Sequence, residues 1–206
     1  MKSLNAVRFD PVLCREELQS LAALLATPEP LGERRSLLPF FRRSLQLSAL
    51  IGSYSPQIGT SDLVAHEYVL FGDFTCDLVV GDSRRQSYCF IEFEDAAAGS
   101  IFVQRGRATP SWSRRLEHGF SQLIDWFWKL DDARGSAEYQ HRFGGGYPRV
   151  MGIIVVGRDG LASRERQRLQ WRSERVVVDS KQIICLTYDQ LLADLTLRLD
   201  TLADPR

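Results

Sequence analysis

Two glutamates separated by a single residue, Glu92 and Glu94, lie in the run Tyr88-Cys89-Phe90-Ile91-Glu92-Phe93-Glu94-Asp95. Its aromatic and β-branched content reads as a strand. Side chains alternate across a strand, so Cys89, Ile91 and Phe93 share one face and Phe90, Glu92 and Glu94 share the other. The two carboxylates then stand about 7 Å apart along the strand. A buried carboxylate is costly unless it is paired, protonated or bound to metal. A divalent cation held by oxygen ligands would resolve both the burial and the mutual repulsion. An edge strand with one wet face would instead leave both glutamates solvated, and the strand alone does not choose between the two.

A third acid, Asp77, interrupts the apolar run Phe74-Thr75-Cys76-Asp77-Leu78-Val79-Val80. Gly81-Asp82 signals a turn after it. The two runs then form a hairpin, and a register centred on the turn places Asp77 near Glu92. Three acids on adjacent strands suit Mg²⁺ or Mn²⁺, which bind few carboxylates and keep waters. Such a metal activates water and stabilises charge on a phosphodiester. Asp77 taken alone is equally compatible with an acid facing solvent.

The elements that must position these acids follow from periodicity. Residues 11–27 and 38–50 have helical spacing, with Pro11 and Pro39 in the first turns. Residues 51–61 are loop by composition. Strands are expected at 63–71, 74–80 and 88–94, joined by short turns as an antiparallel meander. Residues 95–113 are irregular. A helix over 114–132 carries the stripe Leu116, Phe120, Leu123, Phe127 and Leu130. His118, Gln122, Asp125 and Lys129 form the opposite stripe, with Gln122 at its edge beside Trp126. Trp126 and Trp128 read as packing residues. The wholly apolar run 150–156 marks a strand covered on both faces. A charged helix at 161–173, a strand at 182–187 and a helix at 188–202 close the order α-α-β-β-β-α-β-α-β-α, with Val176-Val177-Val178 ambiguous.

The chain of 206 residues carries 26 basic and 26 acidic residues. It is long enough for one sizeable core. Residues 1–52 read as an N-terminal helical segment packed on the core, and 53–206 as the main domain, forming one structural unit. Zero net charge gives no global field toward nucleic acid, so any such site is a local patch. Arg105, Arg107, Arg114 and Arg115, between the acidic strand and the helix, could hold backbone phosphates, or could be loop arginines without a partner. Only Lys2, Lys129 and Lys181 are lysines. Cys14, Cys76, Cys89 and Cys185 have no zinc-like spacing. No run approaches the roughly 18 apolar residues of a membrane span, and Met1 to Pro11 lacks a signal-peptide core. A reducing, cytoplasmic setting with free thiols is the default expectation, without a membrane.

The order strand–Asp77–strand–Glu92-Phe93-Glu94–helix–strand resembles the PD-(D/E)XK nuclease superfamily, whose core is αβββαβ. More narrowly, the chain resembles the Shedu anti-phage nuclease domain over residues 60–193. The resemblance rests on Phe74 to Asp82, Ile91 to Asp95, Ile101-Phe102, Gly106, His118 to Trp126 with its Gln-x-x-Asp-Trp, and Leu186 to Leu192. It implies an α/β restriction-endonuclease-like fold with a central mixed sheet flanked by helices. It also implies Mg²⁺-dependent or Mn²⁺-dependent cleavage of nucleic acid, expected to be DNA, in phage defence. In it Asp77, Glu92 and Glu94 would serve as metal ligands, Gln122 as support, and Arg105 and Arg107 as nucleic-acid contacts. The superfamily's usual lysine falls at position 94, which is glutamate here. Glu94 would then be a third ligand or a base, and Arg105, Arg107 or Lys129 a substitute cation. A non-catalytic binding or regulatory module on the same fold is the alternative, and the oligomeric state, including a homo-oligomer, stays open.

Overall fold

A computed structural model describes residues 3–104, 106 and 108–203, with Ala203 described by its backbone alone. The expected loop contacts Arg105 and Arg107 lie outside the described residues.

A seven-stranded mixed sheet runs through the middle, in the order β1-β2-β3-β4-β7-β9-β8. Its strands are β1 (Asn5–Ala6), β2 (Leu63–Leu70), β3 (Phe74–Asp82), β4 (Ser87–Phe93), β7 (Arg149–Val155), β8 (Val177–Val178) and β9 (Lys181–Leu186). The first four are antiparallel in sequence, as a meander with short turns requires. β4, β7 and β9 run parallel, which their helical crossovers allow. Of the ambiguous valines, Val177 and Val178 form the short edge strand β8, and Val176 caps the helix before it. Within 95–113 there is a further small hairpin, β5 (Phe102–Val103) with β6 (Ser111–Trp112).

Helices cover both faces. α1 (Pro11–Leu25), α2 (Leu38–Arg43), α3 (Leu45–Ile51) and α7 (Tyr188–Ala203) bury one face, sharing a core with Cys89, Ile91 and Phe93. α4 (Arg114–Ala133), α5 (Ala137–Phe143) and α6 (Ser163–Arg175) cover the other, over Phe90 and Ile154. The architecture is α/β and compatible with a restriction-endonuclease-like core. β7 is buried on both faces, so its run is apolar without alternation. All four cysteines are buried and free. Among the described residues, no helix is long and apolar enough to cross a membrane.

The single helix expected over 38–50 is two. Ser44 departs from helical geometry at φ −100°, ψ 71°. A wide π-helical turn, Glu33–Leu37, leads into α2 just before Pro39, whose missing N–H cannot continue an ordinary ladder. α5 was not anticipated; Ser136 caps its start and Gly144, at φ 83°, ends it. Trp126 is packed as expected, but Trp128 is 59 % exposed, because the helical step of 100° turns it away from the sheet.

Candidate metal centre

β4 is internal to the sheet, and its two faces meet different neighbours. Phe93 stacks on Phe41 with ring centroids 4.0 Å apart. That locks one face and turns Glu92 and Glu94 toward α4. The β3–β4 ladder runs from Asp82↔Ser87 to Leu78↔Ile91 and stops there. The next positions in register are Asp77 and Glu92. The Asp77 carboxylate reaches across and accepts the Phe93 N–H at 2.9 Å, in place of a backbone carbonyl of β3. On the other side, His66↔Leu78 and Tyr68↔Cys76 flank Glu67, which faces Asp77 without a ladder pair. Glu67 sits at φ +50°, a costly backbone for a side chain of this kind. The sheet is thus parted around Asp77, and a cleft of about 910 Å³ opens there.

α4 supplies the opposite wall. Ser113 caps it by accepting the Leu116 N–H at 3.1 Å. The Ser113 hydroxyl also donates to the Ser100 carbonyl, and its N–H to Ile101 O at 2.9 Å. These bonds fix the first turn against the chain leaving β4. Gly152 lets α4 lie close on β7: a Cβ there would stand 3.0 Å from a Leu123 methyl and 3.1 Å from the Phe127 ring. At Gly119 an added Cβ would touch the Glu94 and Glu92 Cγ atoms at 3.4 and 3.5 Å, so α4 passes directly over both glutamates.

Asp77, Glu92, Glu94 and Gln122 are brought to one place. Asp77 and Glu92 stand in register on adjacent strands, close enough that each alters the other's ionisation. Gln122 Nε2 donates to Glu92 Oε1. Its Nε2 also lies 3.2 Å from His118 Nδ1, which is 3.3 Å from Glu94 Oε1. Glu92 and Glu94 are 5 % and 1 % exposed, far too buried for a solvated edge. Burial, with Asp77 and Glu94 nearby, pushes the Glu92 carboxyl up to about 10. Burial pushes Asp77 up to about 7, against the Phe93 N–H that favours its charged form. Glu94 is also raised, chiefly by burial and by Glu33, while His118 and Arg115 pull it down. Three carboxyls that resist ionising together are an environment that a cation would relieve. Ligand atoms of Glu92, Glu94 and His118 lie within 4.8 Å of one another, a spacing fit for one ion.

One contributor was not singled out from sequence, and a second, Arg115, was considered only as a phosphate contact. Glu33, in the π-helical turn, lines the cleft, its N–H held by Asp95 Oδ1 at 2.8 Å, and its charge raises Asp77, Glu92 and Glu94. Nothing local in Gly32-Glu33-Arg34-Arg35 marks it, because the contact spans the fold. Arg115 contacts Glu94 Oε2 at 3.3 Å. Lys129, considered as a substitute cation, is held instead by Asp73 at 2.5 Å and Asp132 at 3.2 Å. Glu67 lines the cleft and pairs with Arg42 at 2.5 Å. His66 lies 3.0 Å from the Ser48 hydroxyl.

Residues 32–192 match the family model described as Shedu protein SduA, C-terminal. The span contains every residue of the cleft named above and well over half of the chain. No curated protein matches the chain. The chain belongs to the Shedu SduA C-terminal family, and that membership points to defence against phage.

Proposed function

We propose that this Shedu-family chain is a metal-dependent nuclease that hydrolyses phosphodiester bonds, with DNA as substrate. The observation that carries the reading is the meeting of Asp77 and Glu92 on the wall of one open cleft, with Glu94 buried behind it and its ligand atoms within 4.8 Å of those of Glu92 and His118. Their donor set fits a divalent cation: carboxylate oxygens suit Mg²⁺ or Mn²⁺, and the His118 imidazole nitrogen favours the softer of the two. Asp77, Glu92 and Glu94 would hold the ion. When bound, it would lower the pKa of a water and stabilise charge on the phosphate.

The chain's own groups do the rest. The Phe93 N–H fixes the Asp77 carboxylate from behind. Gln122 orients Glu92 through its amide, as a positioning residue. Glu94, with His118 on one oxygen and Arg115 on the other, is placed to take a proton or to serve as a third ligand. Arg34, Arg35 and Arg42 line the outer cleft, where a polyanion would pass. Arg105 and Arg107 keep their proposed role as nucleic-acid contacts.

Incubation of plasmid and linear DNA with the protein, with EDTA, Mg²⁺ or Mn²⁺, tests the reading. Cleavage is expected only with metal, and its absence under all three conditions would sink the nuclease. The second reading, a non-catalytic binding module, is favoured by glutamate at the position of the usual strand lysine. DNA retention without cleavage would select it.

A further inference from the structure

A nuclease of this design needs a cation near the scissile phosphate, and Glu94, one residue past β4, stands where the lysine would be. Arg115 projects from the first turn of α4 into that space. Its NH1 lies 3.3 Å from Glu94 Oε2 and 3.6 Å from Glu33 Oε2, and its NH2 lies 2.8 Å from Asp95 Oδ2. Three carboxylates on two separate segments therefore fix one guanidinium. The Ser113 cap fixes the turn that carries it. The Arg115 side chain is 52 % exposed, whereas that of Glu94 is 2 % exposed. The guanidinium thus bridges the buried carboxylate and the open cleft, whose wall it shares with Asp77, Glu92, His118 and Gln122. A guanidinium carries five N–H donors in a planar fork that matches a phosphate. Its three carboxylate contacts use only part of that donor set.

Arg34, Arg35 and Arg42 share the cleft wall but, among the described residues, make no ion pair with Asp77, Glu92 or Glu94. Lys129 lies about 21 Å farther along α4, between Asp73 and Asp132. Arg42 is on Glu67. Among the described residues, Arg115 is the one arginine or lysine in an ion pair with any of Asp77, Glu92 and Glu94.

We propose that Arg115 is the charge-stabilising catalytic residue of this cleft, contacting the scissile phosphate from α4 in place of the strand lysine that Glu94 displaces. The proposal rests on the nuclease reading above. A purely structural arginine would neutralise Glu94 and do no more, and the two roles part in experiment. Single-turnover cleavage of a labelled duplex is measured for wild type, Arg115→Ala and Arg115→Lys. Duplex affinity in Ca²⁺ and the melting temperature are followed alongside, and methylguanidine is added to the alanine variant. The expected result is a loss of about 10²–10³-fold in rate for Arg115→Ala, as for removal of one oxyanion donor. Melting temperature should hold, affinity should fall far less than the rate, and both Lys and methylguanidine should restore part of the rate. A cleaving wild type matched by Arg115→Ala overturns the proposal alone. So does a rate loss that comes with a lowered melting temperature and that neither Lys nor methylguanidine repairs. A wild type that cleaves nothing overturns the nuclease reading and this proposal with it.

Discussion

Asp77 does two jobs with one carboxylate: it completes the hydrogen bonding of β4 at Phe93, and it faces Glu92. Glu92 in turn is held by Gln122. Gln122→Ala should therefore weaken metal affinity or cleavage by about 10–100-fold, the usual effect of losing a group that orients a ligand. Metal titration and cleavage of the same preparation check it. Glu94→Gln keeps shape and removes charge. If Glu94 is a ligand or base, cleavage should fall by roughly 10²-fold or more. Unchanged cleavage by this variant would leave Asp77 and Glu92 as the metal pair and end the three-carboxylate account. Both variants should fold, since each leaves the apolar core intact.

The strands and helices decide where these side chains meet. The hairpin register was legible from the alternation in both runs, as was the burial of Cys89, Ile91 and Phe93, although Gly81-Asp82 ends β3 as paired strand and the turn itself is residues 83–86. The α4 stripe was legible from its period, with Gln122 at its edge. The parting of the sheet was not, because it depends on Glu67 adopting a left-handed backbone on a third strand. Arg115 was visible only as one of several arginines, and Glu33 not at all, since its partners Asp95 and Arg115 lie 62 and 82 positions away. The spacing between α4 and β7 is set by Gly152. Gly152→Ala would force its methyl against Leu123 and Phe127, costing about 1–3 kcal/mol by overpacking. Moving α4 outward would also lift Gln122 and His118 off the glutamates. A lowered denaturant midpoint with a larger fractional loss of metal-dependent cleavage is expected. Full activity at reduced stability would show that the site tolerates a displaced α4.

For the whole molecule, the buried acids couple stability to pH. Asp77 and Glu92 bind protons more tightly in the folded chain than in the unfolded one, so between about pH 5 and pH 9 the folded state holds more protons. Stability then falls as pH rises, through about 7 for Asp77 and toward about 10 for Glu92. Melting curves in EDTA should show that decline, Glu92→Gln should flatten it, and Mn²⁺ should oppose it by binding the folded form alone. A stability that rises over this range would contradict the burial of these groups. The central claim concerns activity at the Asp77–Glu92 pair, and a supercoiled-plasmid assay in Mg²⁺ or Mn²⁺ tests it most directly, comparing wild type with Asp77→Asn and Glu92→Gln at matched melting temperatures. The account predicts cleavage by wild type and none by either folded variant. Equal cleavage by all three would place the chemistry elsewhere in the chain.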